Sequence, residues 1–201
     1  MLHHRQVEAG GISIHVVEGG SSSKPAVLFL HGWPQNWAAF ESIMIGLSTE
    51  AYVVAIDLPG IGDSQNPPRS NDKKTLAGYV SRLIESMGLS AVTFVGHDIG
   101  RQIVYAYLHS YPEELQRAVI MNVPVPSVDP WDEVKRNPYI WHFAFHAVRD
   151  LPEMLVRGKE ARYFAFFYDA LSGRPGGVNE AARERYVKAY SRPEALHTGF
   201  E

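Results

Sequence analysis

The sequence predicts an α/β protein: a mostly parallel sheet with helices on both faces and a helical lid inserted late in the chain. Three observations predict it. Short apolar runs alternate with amphipathic runs as far as Met121. One acid, Asp98, stands between two glycines where a β-prone run gives way to an amphipathic one. Beyond Met121 the alternation stops, and an aromatic-rich block with helical periodicity takes over. A βαβαβ rhythm implies parallel strands covered on both faces.

The elements follow in order. Residues 12–17 alternate in period two and run into Gly19, Gly20 and three serines, a turn expected to form a hairpin with the next strand. Residues 26–30 are continuously apolar, as a strand buried on both faces should be. They stop at His31-Gly32-Trp33-Pro34, after which Trp37, Phe40, Met44 and Leu47 share a helical face. Residues 52–56 form another buried strand, followed by the loop Asp57-Leu58-Pro59-Gly60-Ile61-Gly62-Asp63-Ser64. Leu76, Val80, Leu83 and Met87 mark a helix that Gly88 stops. The strand 92–95 leads through Gly96-His97-Asp98-Ile99-Gly100 into a helix carrying Ile99, Ile103 and Tyr107, stopped by Pro112. Val119, Ile120 and Met121 give the next strand.

Pro124, Pro126 and Pro130 then break the backbone, and residues 139–146, 152–170 and 179–190 are helical in pattern. A helical block placed there covers the C-terminal ends of the strands, where open α/β sheets bind ligands. The alternative is a separate small helical domain. The expected division is 1–123 for the core and 124–201 for the lid.

Composition excludes several classes. A net charge of −3 with mixed signs offers no footprint for nucleic acid. With no cysteine there is no disulfide and no thiolate metal site. No apolar run reaches the length of a membrane span, and the N-terminus lacks an apolar leader. A cytoplasmic protein is expected, with a secreted mature form as the alternative. Neither metal nor cofactor is expected.

Asp98 carries the chemistry. It sits at a helix N-terminus, where unpaired N–H groups and the dipole favour negative charge. Attack by a carboxylate on an acyl carbon would give a mixed anhydride, whereas attack on saturated carbon gives an ordinary ester that water can hydrolyse. Epoxides and carbon–halogen bonds are therefore the fitting electrophiles. The alternative is a structural Asp in a Gly-rich turn.

With those residues in place, the chain resembles the epoxide hydrolase and dehalogenase branch of the α/β-hydrolase superfamily. The three motifs that begin at His31, Asp57 and Gly96 occur in that branch's order and spacing. Within it the chain resembles the bacterial Cif-type epoxide hydrolases, through His97-Asp98-Ile99-Gly100, Trp141-His142-Phe143, Gly158-Lys159-Glu160, and Tyr190-Ser191 with Pro193 onward. The resemblance implies an α/β-hydrolase fold with Asp98 as nucleophile. It implies that the backbone N–H groups of Trp33 and Ile99 form an oxyanion hole. It also implies that His142 donates a hydrogen bond to the epoxide oxygen, in a pocket with Trp141, Phe143, Phe145 and His146. His31 and His97 are expected to be structural neighbours rather than bases. The lid aromatics, Phe164, Phe166 and Phe167 among them, favour a small neutral apolar substrate.

Two departures qualify the resemblance. Asn122 stands in the stretch where Cif-type enzymes carry an acid. The chain also stops at Glu201, where the family continues into a second lid tyrosine, further strands and helices, a late acid and the catalytic His. The missing part is expected to belong to a longer protein or a complementing C-terminal segment, with a homodimer as another partner. Ile99 and Trp33 replace the halide-holding side chains of haloalkane dehalogenases, and Ile99 and Gln102 replace the arginine pair of fluoroacetate dehalogenases. Epoxide hydrolysis is therefore favoured over dehalogenation of haloalkanes or haloacetates. An incomplete α/β-hydrolase-fold binding protein is the alternative of a different class.

Overall fold

A computed structural model describes residues 1–122, 127–174 and 176–201. The expected boundary at 123/124, with Pro124 and Pro126, lies outside the described residues. The strands β1 (His3–Ala9), β2 (Ile12–Gly19), β3 (Ala26–Leu30), β4 (Tyr52–Ile56), β5 (Val92–His97) and β6 (Leu115–Met121) form one sheet, ordered β1-β2-β4-β3-β5-β6. β3 pairs parallel with β4 and β5, and β5 pairs parallel with β6. The first two strands are antiparallel, β1 to β2 and β2 to β4.

β4 is buried along its whole length because strands flank it and helices cover both faces. The period of two sends its side chains into two cores. Tyr52, Val54 and Ile56 pack with the helices α2 (Lys73–Met87) and α3 (Ile99–Ser110) on one face. Val53 and Ala55 pack on the other against Trp37, Phe40 and Met44. Fully burying an aliphatic side chain of this size stabilises by about 1.5–3 kcal/mol.

The expected hairpin is corrected. β2 pairs with β1 through Gly10 and Gly11, and its other edge meets β4, with Val16 opposite Ile56. Both edges of β3 are taken by β4 and β5, so β2 has no edge there to join. β1 was not foreseen, because His-His-Arg-Gln at its start leaves its outer face polar and exposed. The first helical run begins as a 3-10 turn, Trp37–Phe40, capped by Asn36, and continues as α1 (Glu41–Leu47). α2 is capped by the Asp72 carboxylate, which accepts from Thr75 N at 2.8 Å, and ends on Gly88 in the left-handed region.

After β6 come α4 (Trp131–Lys135), α5 (Trp141–His146), α6 (Leu151–Val156), α7 (Glu160–Ala170), α8 (Glu180–Ala189) and α9 (Pro193–Phe200). The run expected over 152–170 is two helices, broken around Gly158. The block is tied to the loops that leave β3 and β4. Tyr168 Oη donates to Pro34 O at 2.7 Å and Tyr190 Oη to Gln35 O at 2.9 Å. Gly62 N donates to Ala189 O at 3.0 Å, and the Arg192 guanidinium donates to Gly62 O and Ser64 O. The helices therefore lie over the C-terminal ends of the parallel strands. Among the described residues, no helix is long and apolar enough to cross a membrane.

Candidate active site

Asp98 occupies a sharp turn between β5 and α3, with φ 55° and ψ −119°. A non-glycine residue held there stores about 1–3 kcal/mol of strain, the kind that gathers at functional sites. Close approach explains the neighbouring glycines. A Cβ on Gly100 would lie 2.0 Å from Leu30 O, and one on Gly32 would lie 2.2 Å from Asp98 Cβ. The contact is sealed by Gly100 N donating to His31 O at 3.0 Å.

Two backbone amides converge on one carboxylate oxygen. Trp33 N donates to Asp98 Oδ1 at 3.0 Å and Ile99 N donates to it at 2.7 Å. The loop that carries Trp33 is held by buried side chains. Leu58 N donates to His31 Nε2 at 3.0 Å, so the proton sits on Nδ1, 3.0 Å from Gly32 O. Burial pushes the His31 pKa down, which keeps the ring neutral in that role. The next loop is organised by Asp57, whose carboxylate accepts from Trp37 N and Asp63 N and pairs with His15 Nδ1 at 2.8 Å. Those bonds account for the grouping of His15, Asp57 and Asp63 within 4.8 Å of one another.

A cavity of about 780 Å³ opens above Asp98. Trp33, Ile99, Trp131, His142, Phe143, His146 and Phe200 line it. The His142 ring stacks on Trp33 with centroids 5.8 Å apart and planes 14° apart. It is 7% exposed, and both its Nδ1 and Trp33 Nε1 are buried without a partner among the described residues. Burial pushes the His142 pKa down, while the charge of Asp98 pulls it back up. His146 meets Trp33 edge-on at 4.9 Å, and its Nε2 lies 2.8 Å from Tyr163 Oη. Burial and the neighbouring His142 push the His146 pKa down to about 3.

Of the residues expected in the pocket, His142, Phe143 and His146 line this cavity, and Trp141 and Phe145 do not. Helical geometry is the reason. His142 and His146, four apart, share one face of α5, while Trp141 and Phe145 share another about 100° away. Trp141 instead lines a groove of about 380 Å³ on the other side of α5, beside Tyr163 and Phe166, and is 42% exposed. Phe145 packs against the main core, Phe164 and Phe167 are buried in the interior, and Phe166 is exposed. His31 and His97 do not line the cavity. Gln102, weighed above against an arginine of fluoroacetate dehalogenases, lines it too, whereas Lys73, Trp131 and Phe200 line it without having been singled out as pocket residues. Their spacing carried no signal, because the tertiary fold alone brings the start of α2 and the end of α9 to Asp98.

Residues 25–190 match the model of the alpha/beta hydrolase fold family. The chain is 29% identical over 203 residues to a soluble epoxide hydrolase of Corynebacterium sp. strain C12, covering 98% of this chain and 70% of that protein. It is 26% identical over 200 residues to epoxide hydrolase 4 of Mus musculus, covering 95% of this chain and 56% of that protein. Among solved structures it resembles Cfl2 from Burkholderia cenocepacia, with a TM-score of 0.85 and 33% identity, covering 99% of this chain and 69% of that one. It also resembles the epoxide hydrolase CorEH, with a TM-score of 0.87 and 25% identity, covering 100% of this chain and 72% of that one. The chain thus spans between 56% and 72% of the length of these four proteins.

Proposed function

Because the chain belongs to the alpha/beta hydrolase fold family, we propose that it carries the nucleophile of a hydrolase that opens epoxides through a covalent ester on Asp98, giving vicinal diols. The observation that carries this reading is the convergence of Trp33 N and Ile99 N on Asp98 Oδ1, at 3.0 and 2.7 Å. In the first half-reaction Asp98 Oδ2 attacks a ring carbon, the carbon–oxygen bond breaks, and the released oxygen takes a proton. Oδ1 becomes the carbonyl oxygen of the ester, already held by the donors that the tetrahedral intermediate needs. In the second, water attacks Cγ and releases diol and carboxylate, a step that requires a base. The resemblance assigns that base to a late histidine of the family.

His142 is read as a neutral donor to the ring oxygen, since it is buried in the same cavity and burial opposes its charged form. The aromatic lining favours neutral epoxides with aryl or alkyl substituents, and the relatives named epoxide hydrolases support that class. One observation keeps dehalogenation as a second reading. Trp33 Nε1 is a buried unpartnered N–H on a cavity-lining residue, a donor type suited to a departing halide.

Incubation with a reactive aryl epoxide, followed by intact-mass and peptide analysis, tests the reading. One substrate mass should appear on the peptide containing Asp98 and be absent in Asp98→Asn. His142→Ala should slow its formation by about 10²–10³-fold, the range for losing one positioned donor, and His142→Tyr should restore part of the rate. Faster halide release from haloalkanes than turnover of any epoxide would transfer the assignment to dehalogenation. No adduct in a folded sample would refute a competent nucleophile.

A further inference from the structure

The outer side of the lid carries a second concavity that the chemistry of Asp98 does not use. It is the groove of about 380 Å³ bordered by α5, α6 and α7, across α5 from the Asp98 cavity. Trp141, Leu155, Val156, Tyr163 and Phe166 line it, and of these Trp141, Leu155 and Phe166 are exposed. Scattered exposed apolar side chains are ordinary, but three gathered around one concavity mark a binding surface. Val156 is buried and contributes to an apolar floor.

The charged groups of the groove are of one sign. Lys159 and Arg162 line it, and among the described residues no carboxylate does. Neither cation forms an ion pair among the described residues, and Lys159 Nζ makes a long contact of 3.4 Å with Leu155 O. Glu160 lies between them in sequence but stands outside the lining, accepting from Gly158 N at 2.9 Å. Tyr163 gives its ring to the groove, while its hydroxyl is engaged 2.8 Å from His146 Nε2. Arg162 and Phe166, four apart, share a face of α7 and set a guanidinium beside an aromatic wall. The Asp98 cavity has the opposite balance: Asp72, Asp98, Asp150, Glu153 and Glu201 border it, against Lys73 and Arg149.

Apolar walls with two convergent cations suit an amphiphilic anion, whose chain leaves water while its headgroup meets the charges. A guanidinium pairs with a carboxylate through two parallel N–H donors. We propose that this groove is a binding site for aliphatic carboxylates, separate from the Asp98 cavity. A single chain can lie within the groove. A bilayer surface, or the broad face of a second copy, about 800 Å² per partner in a stable complex, would meet its rim without filling it. The inference stands whether or not Asp98 is the nucleophile.

Calorimetric titration of the folded chain with laurate, below its micelle concentration, tests the proposal. Laurate should bind at one site per chain. Affinity should rise from octanoate through decanoate to laurate by up to about fourfold per added methylene. Dodecanol, which keeps the chain and lacks the charge, should bind about tenfold more weakly. The double variant Lys159→Glu/Arg162→Glu and, separately, Phe166→Asp should each weaken laurate by about tenfold or more. All three side chains are exposed, so these variants should fold. Arg149→Gln removes a cation from the Asp98 cavity and should leave laurate affinity within about twofold. Binding that survives the groove variants and is lost in Arg149→Gln would overturn the proposal and move the carboxylate to the Asp98 cavity. Capture on phosphatidylglycerol vesicles without binding of monomeric laurate would overturn it in favour of a bilayer surface. A dimer that Phe166→Asp dissociates, with no laurate bound, would replace it with a second copy. Absence of laurate binding to the wild type would refute it outright.

Discussion

The amide of Trp33 lies 3.0 Å from Oδ1 of Asp98, although 65 positions separate the two residues in the chain. β3 and β5 are parallel neighbours, so the loop leaving one strand is delivered beside the turn that leaves the other. Gly32 permits the contact, because any larger residue would meet the Asp98 side chain at once.

Gly32→Ala should therefore injure the site more than the fold. Its Cβ would lie 2.2 Å from Asp98 Cβ, so the carboxylate must leave the two amides. Adduct formation should fall by at least about 10²-fold, while stability drops by about 1–3 kcal/mol, the usual range for overpacking. Single-turnover kinetics and denaturant titration separate the two effects. An alanine variant that alkylates normally would mean that the loop relaxes without moving Asp98.

The two faces of α5 should separate in a mutational comparison. Phe143→Ala enlarges the main cavity and should shift preference toward bulkier epoxides. Trp141→Ala lies outside that cavity and reaches it only through Phe167, which packs on both Trp141 and His142, so it should change relative rates among epoxides less than Phe143→Ala does. Competition assays with paired substrates read both. A larger change in selectivity from Trp141 than from Phe143 would contradict the assignment of faces.

Acid should destabilise the protein through its buried histidines. His31, His142 and His146 have folded pKa values below the unfolded value of 6.5, and burial is the first cause in each. Their contribution is fully present above 6.5 and is lost as pH falls toward the folded values, which for His146 is about 3. Each such site adds a slope of up to about 1.4 kcal/mol per pH unit. His197 acts oppositely, since its Glu153 partner raises its pKa and its contribution fades as pH rises. Urea midpoints between neutral pH and pH 4 should fall, and less steeply in His146→Phe. An unchanged slope in that variant would remove His146 from the account.

The outer strand should govern association of this chain. Val119 and Ile120 on β6 are 45% and 39% exposed, at the end of the strand order. Exposed apolar edge strands invite pairing with other chains. Val119→Lys should lower light scattering at high protein concentration while leaving the midpoint of unfolding within about 0.5 kcal/mol, as for most surface substitutions. Equal scattering by both proteins would place the sticky surface elsewhere.

Much of this protein is determined by local sequence. Continuous apolar runs at 26–30 and 52–56 mark strands buried on both faces, and the stop at Gly88 and the turn at Gly96–Gly100 follow from local backbone chemistry. Asp98 stood out locally between two glycines, whereas Trp33 and Ile99 were joined to it only by the family resemblance. Other features depended on contacts between distant segments. Strand order decided that β2 meets β4 rather than β3, since both edges of β3 are occupied. The polar start of β1 concealed a strand that only pairing with β2 stabilises. Composition flagged the aromatics beyond Met121 as a group, yet the 100° step of α5 sends His142 to the cavity and Trp141 to the outer groove. Lys73 looks like any helix-opening lysine in the sequence. Its desolvation and the field of Asp98 exist only once the chain has folded, because burial and charge proximity are properties of packing rather than of residue order.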